Sequence, residues 1–212
     1  MSDALAYTAA VGLAVCIISY FCQVLRGDST PNTTTWLIWS VVMTINSLTY
    51  IEVAGSIKAL SSLTTNAGII AIFIYSLLKG KFTKVSRTDV ACLALASMVG
   101  AVWQITDSAK IATVALQIVF VISFWPTING LLKRRAREHP LNWDIAVVAY
   151  ACLIASILLD WQGQHWTAIA FPLVNGIIGN GSVAVLAHLQ LRKPPPAPTS
   201  PPRVLDTVPP VK

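Results

Sequence analysis

Two asparagines lie near the middle of long apolar stretches, and they are the residues of this chain best suited to bind a ligand. Asn66 lies within Ile57–Leu78, and Asn175 lies within Trp166–Leu189. A carboxamide in hydrocarbon is costly unless its two N–H donors and its oxygen find a partner or water. Polar groups at such depth indicate a function, and these two predict a site that hydrogen-bonds a polar solute.

The spacing of the two asparagines points to an internal duplication. They are 109 residues apart, and other landmarks share that offset without any insertion. A fixed offset between several features is typical of transporter folds that are built from repeats. The other pairs with this offset are Arg26 with Arg135 and Pro31 with Pro140.

The composition indicates an integral membrane protein. Hydrophobic residues make up 55% of the chain and charged residues only 11%, whereas a soluble domain has about 25% charged residues. Seven apolar stretches are long enough to cross the hydrocarbon core, which takes about 17–25 residues as a helix. We place them at Ala4–Leu25, Thr33–Ala54, Ile57–Leu78, Asp89–Thr106, Ala109–Leu132, Trp143–Leu159 and Trp166–Leu189.

The duplication divides these helices into two units of three. Residues 1–88 form the first unit and residues 108–191 the second, while the fourth helix, in residues 89–107, has no counterpart. Three spans invert the direction of the chain and one more restores it, so both units cross the membrane in the same sense. The predicted fold is an all-α membrane protein with a parallel 3+1+3 repeat. Residues 192–212 hold eight of the twelve prolines and are expected to form a disordered cytoplasmic tail.

The net charge of +6 is unevenly distributed. Cytoplasmic loops collect Lys and Arg, so the N-terminus is expected outside and the C-terminus in the cytoplasm, in a plasma or bacterial inner membrane. The opposite connections carry only Lys58 and Lys110, each near an acid. This placement favours the lipid bilayer over nucleic acid as the partner of the positive charge. The basic positions on the predicted cytoplasmic side are Arg26, Lys79, Lys81, Lys84, Arg87, Lys133, Arg134, Arg135, Arg137, Arg192 and Lys193.

The residue inventory argues against an enzyme. The sequence contains no GxSxG or HExxH motif, and no pair of acids lies at the centre of an apolar stretch. Three histidines are scattered near helix ends, and the four cysteines have no metal-ligand spacing. We therefore expect no catalytic residue, no metal site and no cofactor. The remaining deep polar groups are amides, hydroxyls and indoles, which suit a neutral hydrogen-bonding solute.

Four further residues bear on such a site. Asn46, in mid-helix, is expected to face the interior of the bundle, because lipid would penalise its amide. Trp36 is expected to be an interfacial anchor, whereas Trp39, one turn deeper, is a candidate to close a cavity. Pro126 removes a backbone hydrogen bond and predicts a kink in the fifth helix, either as a hinge or as ordinary packing.

The arrangement resembles the SWEET and PQ-loop superfamily of transporters over Ala4 to Leu189. In SWEET-type proteins an asparagine of helix three and one of helix seven face each other across a central cavity and hydrogen-bond the substrate. Asn66, in Thr65-Asn66-Ala67-Gly68, and Asn175, in Val174-Asn175-Gly176, match those positions. By the same analogy Trp39 supplies an aromatic wall. Family members usually carry a proline in the first and second helices of each repeat, whereas this chain has only Pro126, so a divergent member is indicated.

The predicted function is facilitated movement of a small neutral polar solute by alternating access between the two three-helix units. Asn66 and Asn175 would bind the solute, Trp39 and Asn46 would line the cavity, and Pro126 would ease the movement. The alternative is a membrane receptor or subunit-binding protein that uses the same scaffold without transport. A homo-oligomer is left open by the sequence.

Overall fold

The computed structural model describes residues 1–27, 33–79, 87–133, 138–161 and 166–191, apart from the side chains of Thr88 and Pro126. Within these ranges the chain is almost entirely helical and contains no strand. The predicted tail at 192–212 and most of the basic clusters lie outside the described residues.

Seven spans are long enough and apolar enough to cross a membrane, as predicted, and they indicate an integral membrane protein. Their ends lie within three residues of the predicted ones. The seventh span, Thr167–Leu191, has three parts, because a π-helical segment separates two α-helices. The elements are α1 (Ser2–Arg26), α2 (Thr33–Ala54), α3 (Ser56–Leu78), α4 (Arg87–Thr106), α5 (Ala109–Leu132), α6 (Pro140–Leu159), α7 (Thr167–Phe171), the π segment (Pro172–Asn180) and α8 (Gly181–Leu191).

Local sequence explains two of these helix ends. Gly55 is the single residue between α2 and α3, and its φ of 81° lies in the left-handed region that glycine adopts without a steric penalty. The helix α6 begins three residues earlier than predicted, at Pro140, because proline suits the first position of a helix. The preceding residue, His139, caps this helix by accepting a hydrogen bond from the Leu141 amide at 3.4 Å.

Contacts between helices define the two ends of the bundle. Ser2, at the start of α1, donates from Oγ to the Ser156 carbonyl near the end of α6 at 2.9 Å, and Ser156 Oγ donates to the Ser2 carbonyl at 2.8 Å. The helices α2, α4 and α6 run opposite to α1, α3, α5 and the seventh span. We call the end that holds Ser2 the Ser2 end, and the end that holds Arg26 the Arg26 end.

Helix packing follows a simple order. The helix α1 packs against α3 and α6, and α2 packs against α3 and α5. The seventh span packs against α5 and α6, while α4 lies outside, against α2 and α5. Many large apolar side chains point outward, which suits a lipid environment; among them are Val11, Ile18, Ile118, Val148 and Val185.

The π segment is the main difference from the predicted helices, because Trp166–Leu189 is predicted to form one continuous helix. Pro172, at its start, has no N–H group to donate to an α-helical hydrogen bond. In a π-helix the bonds join residues five apart, so residues five apart lie above one another. Asn175 and Asn180 are brought to the same face in this way, and Asn180 Nδ2 donates to the Asn175 carbonyl.

Candidate functional site

A cavity of about 280 Å³ lies between the helices in the half of the bundle nearer the Arg26 end. Its deepest polar residues, Thr65 and Asn175, come from the middle of the third and seventh spans. From there it extends to Glu138, which lies just outside the start of α6. The cavity is therefore placed between mid-bundle and one end.

Asn175 lies in the wall of the cavity. It is 7% exposed, lines the cavity, and donates from Nδ2 to the Tyr150 hydroxyl of α6 at 3.0 Å. The adjacent Gly176 permits this contact, because a Cβ there would overlap the Tyr150 ring. Tyr150 is 1% exposed and its hydroxyl also interacts with Thr65 of α3. This polar chain links the third, sixth and seventh spans.

Asn66 lies elsewhere. It is half-buried and bonds to the Thr44 hydroxyl of α2 at 3.3 Å, and it is not among the residues that line the cavity. Its neighbour Thr65 lines the cavity instead, together with Ile69 one turn later. One residue along an α-helix turns the side chain by about 100°, which accounts for the difference. The structure thus does not bring Asn66 and Asn175 together.

Trp39 and Asn46 also have different surroundings. Trp39 lines the cavity and donates from Nε1 to Ser123 Oγ of α5 at 3.1 Å. Asn46 is fully buried, as predicted, but it donates to Ser62 Oγ at 3.2 Å and does not line the cavity. Pro126 lies within α5, and its side chain is outside the described part of the chain.

An aromatic wall forms one side of the cavity. We use this name for the four residues Tyr20, Trp36, Trp39 and Phe124, whose successive ring centroids are 5.2, 5.4 and 5.6 Å apart. The expectation that Trp36 is an interfacial anchor is wrong, because this side chain is only 7% exposed and packs between Tyr20 and Trp39. A tryptophan at the start of a helix can face the bundle interior as readily as the lipid headgroups. The three-residue spacing of Trp36 and Trp39 does not distinguish these two orientations.

The start of α6 supplies cavity residues that the sequence analysis did not single out, namely Glu138, Asn142 and Trp143. Asn142 is 3% exposed and donates from Nδ2 to Gln23 Oε1 at 3.1 Å. Burial raises the pKa of the Glu138 carboxyl to about 7, and the neighbouring Trp143 side chain lowers it in part. The sequence does have three polar residues around Pro140 that could have indicated this part of the lining. Polar residues beside a proline are also typical of an ordinary helix boundary, so they did not single out a cavity.

An aromatic layer lies between the cavity and the Ser2 end, by which we mean the packed rings of Tyr50, Phe120, Tyr150 and Phe171. The ring of Phe171 lies 5.2–5.9 Å from each of the other three rings. The Tyr50 hydroxyl donates to the Ala168 carbonyl at 2.7 Å. Among the described residues, none on the Ser2 side of this layer lines the cavity.

Gly179 does not leave open space beside Asn175. A Cβ at this position would overlap the Phe124 ring, so the glycine allows close packing of α5 on the π segment. Small residues here thus serve packing, and the packing in turn shapes the cavity wall.

The lining combines amides, hydroxyls, aromatic rings and one carboxyl group, which are groups that bind a ligand by hydrogen bonds and ring contacts. A cavity with such a lining is a candidate small-molecule site. Comparison with protein-family models, with curated proteins and with solved structures finds no match to this chain.

Proposed function

We propose that this chain is an integral membrane facilitator that moves a small polar solute by alternating access between two three-helix units. One observation carries the proposal: the cavity reaches from mid-bundle to the Arg26 end, while the aromatic layer is packed between it and the Ser2 end. A site that is accessible from one side only is what one state of such a transporter requires. The volume of about 280 Å³ lies near the lower end of ligand pockets, which favours a small solute.

The packing order supports two parallel units. Exchanging α1 with α5, α2 with α6 and α3 with the seventh span converts the α1–α6 contact into the α5–α2 contact. The same exchange converts the contacts of α3 with α1 and α2 into the contacts of the seventh span with α5 and α6. This pattern is expected of two repeats related by an axis along the membrane normal, with α4 as the linking helix. It is the arrangement that the resemblance to SWEET and PQ-loop transporters implies.

The two asparagines add a second correspondence. Asn66 bonds to a hydroxyl of the preceding span, that of Thr44, and Asn175 bonds to the hydroxyl of Tyr150 in the span before it. The two asparagines thus each bond to a hydroxyl of the preceding span, although Thr44 and Tyr150 themselves are not at equivalent positions. Only the second unit presents its asparagine to the cavity, so in this proposal Asn175 and Trp39 bind the solute directly. Thr65 replaces Asn66 as the solute-binding residue of the third helix in this proposal.

The charges support a cytoplasmic Arg26 end. Arg26, Lys79, Arg87 and Lys133 all lie at helix ends there. At the Ser2 end, Lys58 is paired with Asp160. Since Lys and Arg accumulate on the cytoplasmic side, we place the N-terminus outside and the cavity mouth in the cytoplasm of a plasma or bacterial inner membrane.

A receptor or subunit-binding protein on the same scaffold is the second candidate. The amide of Asn66 is bonded within its own three-helix unit, as expected of a protein that does not need it for a solute. Such a protein would bind a ligand or a partner subunit without moving the ligand across the bilayer.

A flux screen in vesicles containing the purified full-length chain tests the proposal. Labelled sugars, amino acids, nucleosides and amines are offered, and exchange is compared with that of protein-free vesicles. We expect one class to exchange, Asn175→Ala to reduce that exchange by at least about tenfold, and Asn66→Ala, the matched control, to retain most of it. Thermal unfolding confirms that both variants fold. Ligand-induced stabilisation without any exchange would favour the receptor instead.

A further inference from the structure

The cavity has a hydrogen-bond acceptor without a donor. Asn142 is 3% exposed, its Nδ2 donates to Gln23 Oε1, and its backbone carbonyl accepts from Cys16 Sγ at 3.1 Å. Its Oδ1 is buried and has no hydrogen-bond partner among the described residues. An unpaired buried acceptor costs about 1–3 kcal/mol, so the Asn142 amide gains if it turns Oδ1 toward the N–H or O–H group of a ligand in the cavity.

A carboxyl group lies in the same lining. Glu138 is the only acid among the described cavity residues, and no lysine or arginine is there to pair with it. In the described part of the chain it belongs to no ion pair. Burying a carboxylate without a positive partner is unfavourable, and burial is the main cause of its raised pKa. A cation that enters the cavity supplies a positive charge that the described lining does not hold.

The aromatic wall offers a third attraction for positive charge. The faces of aromatic rings carry a negative quadrupole field, and a cation within about 6 Å of a ring centroid gains about 0.5–2 kcal/mol. Tyr20, Trp36, Trp39 and Phe124 form a continuous series of such rings. A sugar would find hydrogen-bonding groups here as well, but it would bring no positive charge to the carboxyl group.

We propose that the solute is a small organic ammonium ion, held by Glu138, by the free Oδ1 of Asn142 and by the aromatic wall. This inference rests on the proposed transport function and narrows its solute class. A cationic solute thus replaces the neutral solute that the sequence predicted, because that prediction assumed a cavity without a charged group.

The test compares three probes of nearly equal size: benzylamine, which is a cation at pH 8, benzyl alcohol and benzoate. Binding to the purified full-length chain is followed by tryptophan fluorescence, since three tryptophans line the cavity. We expect benzylamine to bind at least about tenfold more tightly than benzyl alcohol, and benzoate not to bind. Equal affinity for the amine and the alcohol would overturn the proposal.

Two variants make the test specific. Glu138→Gln keeps the size of the side chain and should weaken benzylamine at least about tenfold while leaving benzyl alcohol unchanged. Glu52→Gln, the same change at an exposed acid of α2 near the Ser2 end, is the matched control and should leave both affinities unchanged. Unaltered benzylamine affinity in a folded Glu138→Gln protein also contradicts the proposal. Should that variant not fold, the probe comparison on the unaltered chain decides the question.

Binding and flux separate the two proposals. Benzylamine binding that depends on Glu138, without flux of any amine in vesicles, supports the solute class and overturns transport. Flux of a neutral solute without benzylamine binding supports transport and overturns the solute class.

Discussion

Lys58 of α3 and Asp160 at the end of α6 form an ion pair with 2.7 Å between Nζ and Oδ2. The lysine side chain is 6% exposed and the aspartate side chain 51% exposed. The pair lies at the Ser2 end and joins the first proposed unit to the second, on the side where the aromatic layer closes the bundle. If the units rock against each other, this contact has to separate.

Removing one charge of this pair should cost more than removing both. Asp160→Asn leaves the Lys58 ammonium buried without its partner, and we expect a loss of about 1–2 kcal/mol, which the exposure of Asp160 limits. Lys58→Met with Asp160→Asn removes both charges and should recover part of that loss. Thermal unfolding of the two single variants and the double variant gives the coupling energy. Additive losses would mean that the pair does not hold the Ser2 end together.

Close packing of the π segment on Tyr150 predicts a strong effect at Gly176. A methyl group there overlaps a ring that is 1% exposed, so Gly176→Ala should destabilise the protein by about 1–3 kcal/mol and weaken ligand binding at Asn175. Gly181→Ala is the matched control, because the nearest atom to its new Cβ, on Val147, is 3.8 Å away. That change should be neutral or stabilising. Unfolding curves that move equally for both variants would contradict the packing argument.

The native cysteines test whether the cavity is reached from one side. Cys16 lines the cavity, whereas Cys92 is 1% exposed and does not. We expect a variant that retains only Cys16 to react with a membrane-impermeant thiol reagent faster from the Arg26 side than from the Ser2 side. A variant that retains only Cys92 should resist the reagent from both sides. Equal labelling of Cys16 from both sides of sealed vesicles would contradict a closed Ser2 end.

Much of the architecture was predictable, because it depends on the average hydropathy of long stretches of the sequence. Apolar length and tight connections determine the seven spans, and the predicted ends Thr33–Ala54 and Ala109–Leu132 agree with the structure residue by residue. The inward position of Asn46 followed from the cost of its amide in lipid, and it is fully buried.

The details of the site were less predictable, because they depend on rotation within a helix. Thr65 and Asn66 are both polar neighbours, and only the packing of α3 on α2 decides that Thr65 faces the cavity. The π segment changes which residues share a face with Asn175, and Pro172 is its only evident signal in the sequence. Glu138 precedes α6 and belongs to no apolar pattern, so its place in the lining follows only from the three-dimensional structure.

The last prediction concerns pH. The titratable side chains of the lining are Cys16, Tyr20, Glu138 and Tyr150, and only a carboxyl group with a pKa near 7 changes its charge between pH 6 and pH 8. Above pH 7 the Glu138 carboxylate attracts a cation, and below pH 7 the protonated group does not. The ionised fraction rises from about one-tenth to about nine-tenths over this range, so affinity for benzyltrimethylammonium, whose charge is fixed, should rise about ninefold.

A contribution from His139 has to be separated from this effect, since this residue follows Glu138 directly. His139 is exposed, lies outside the lining and caps α6, so His139→Gln should keep the rise in affinity. Glu138→Gln should abolish it, because the remaining cavity groups keep their charge between pH 6 and pH 8. A rise that persists in Glu138→Gln and disappears in His139→Gln would assign the pH dependence to the histidine and leave the carboxylate without a part in binding the cation.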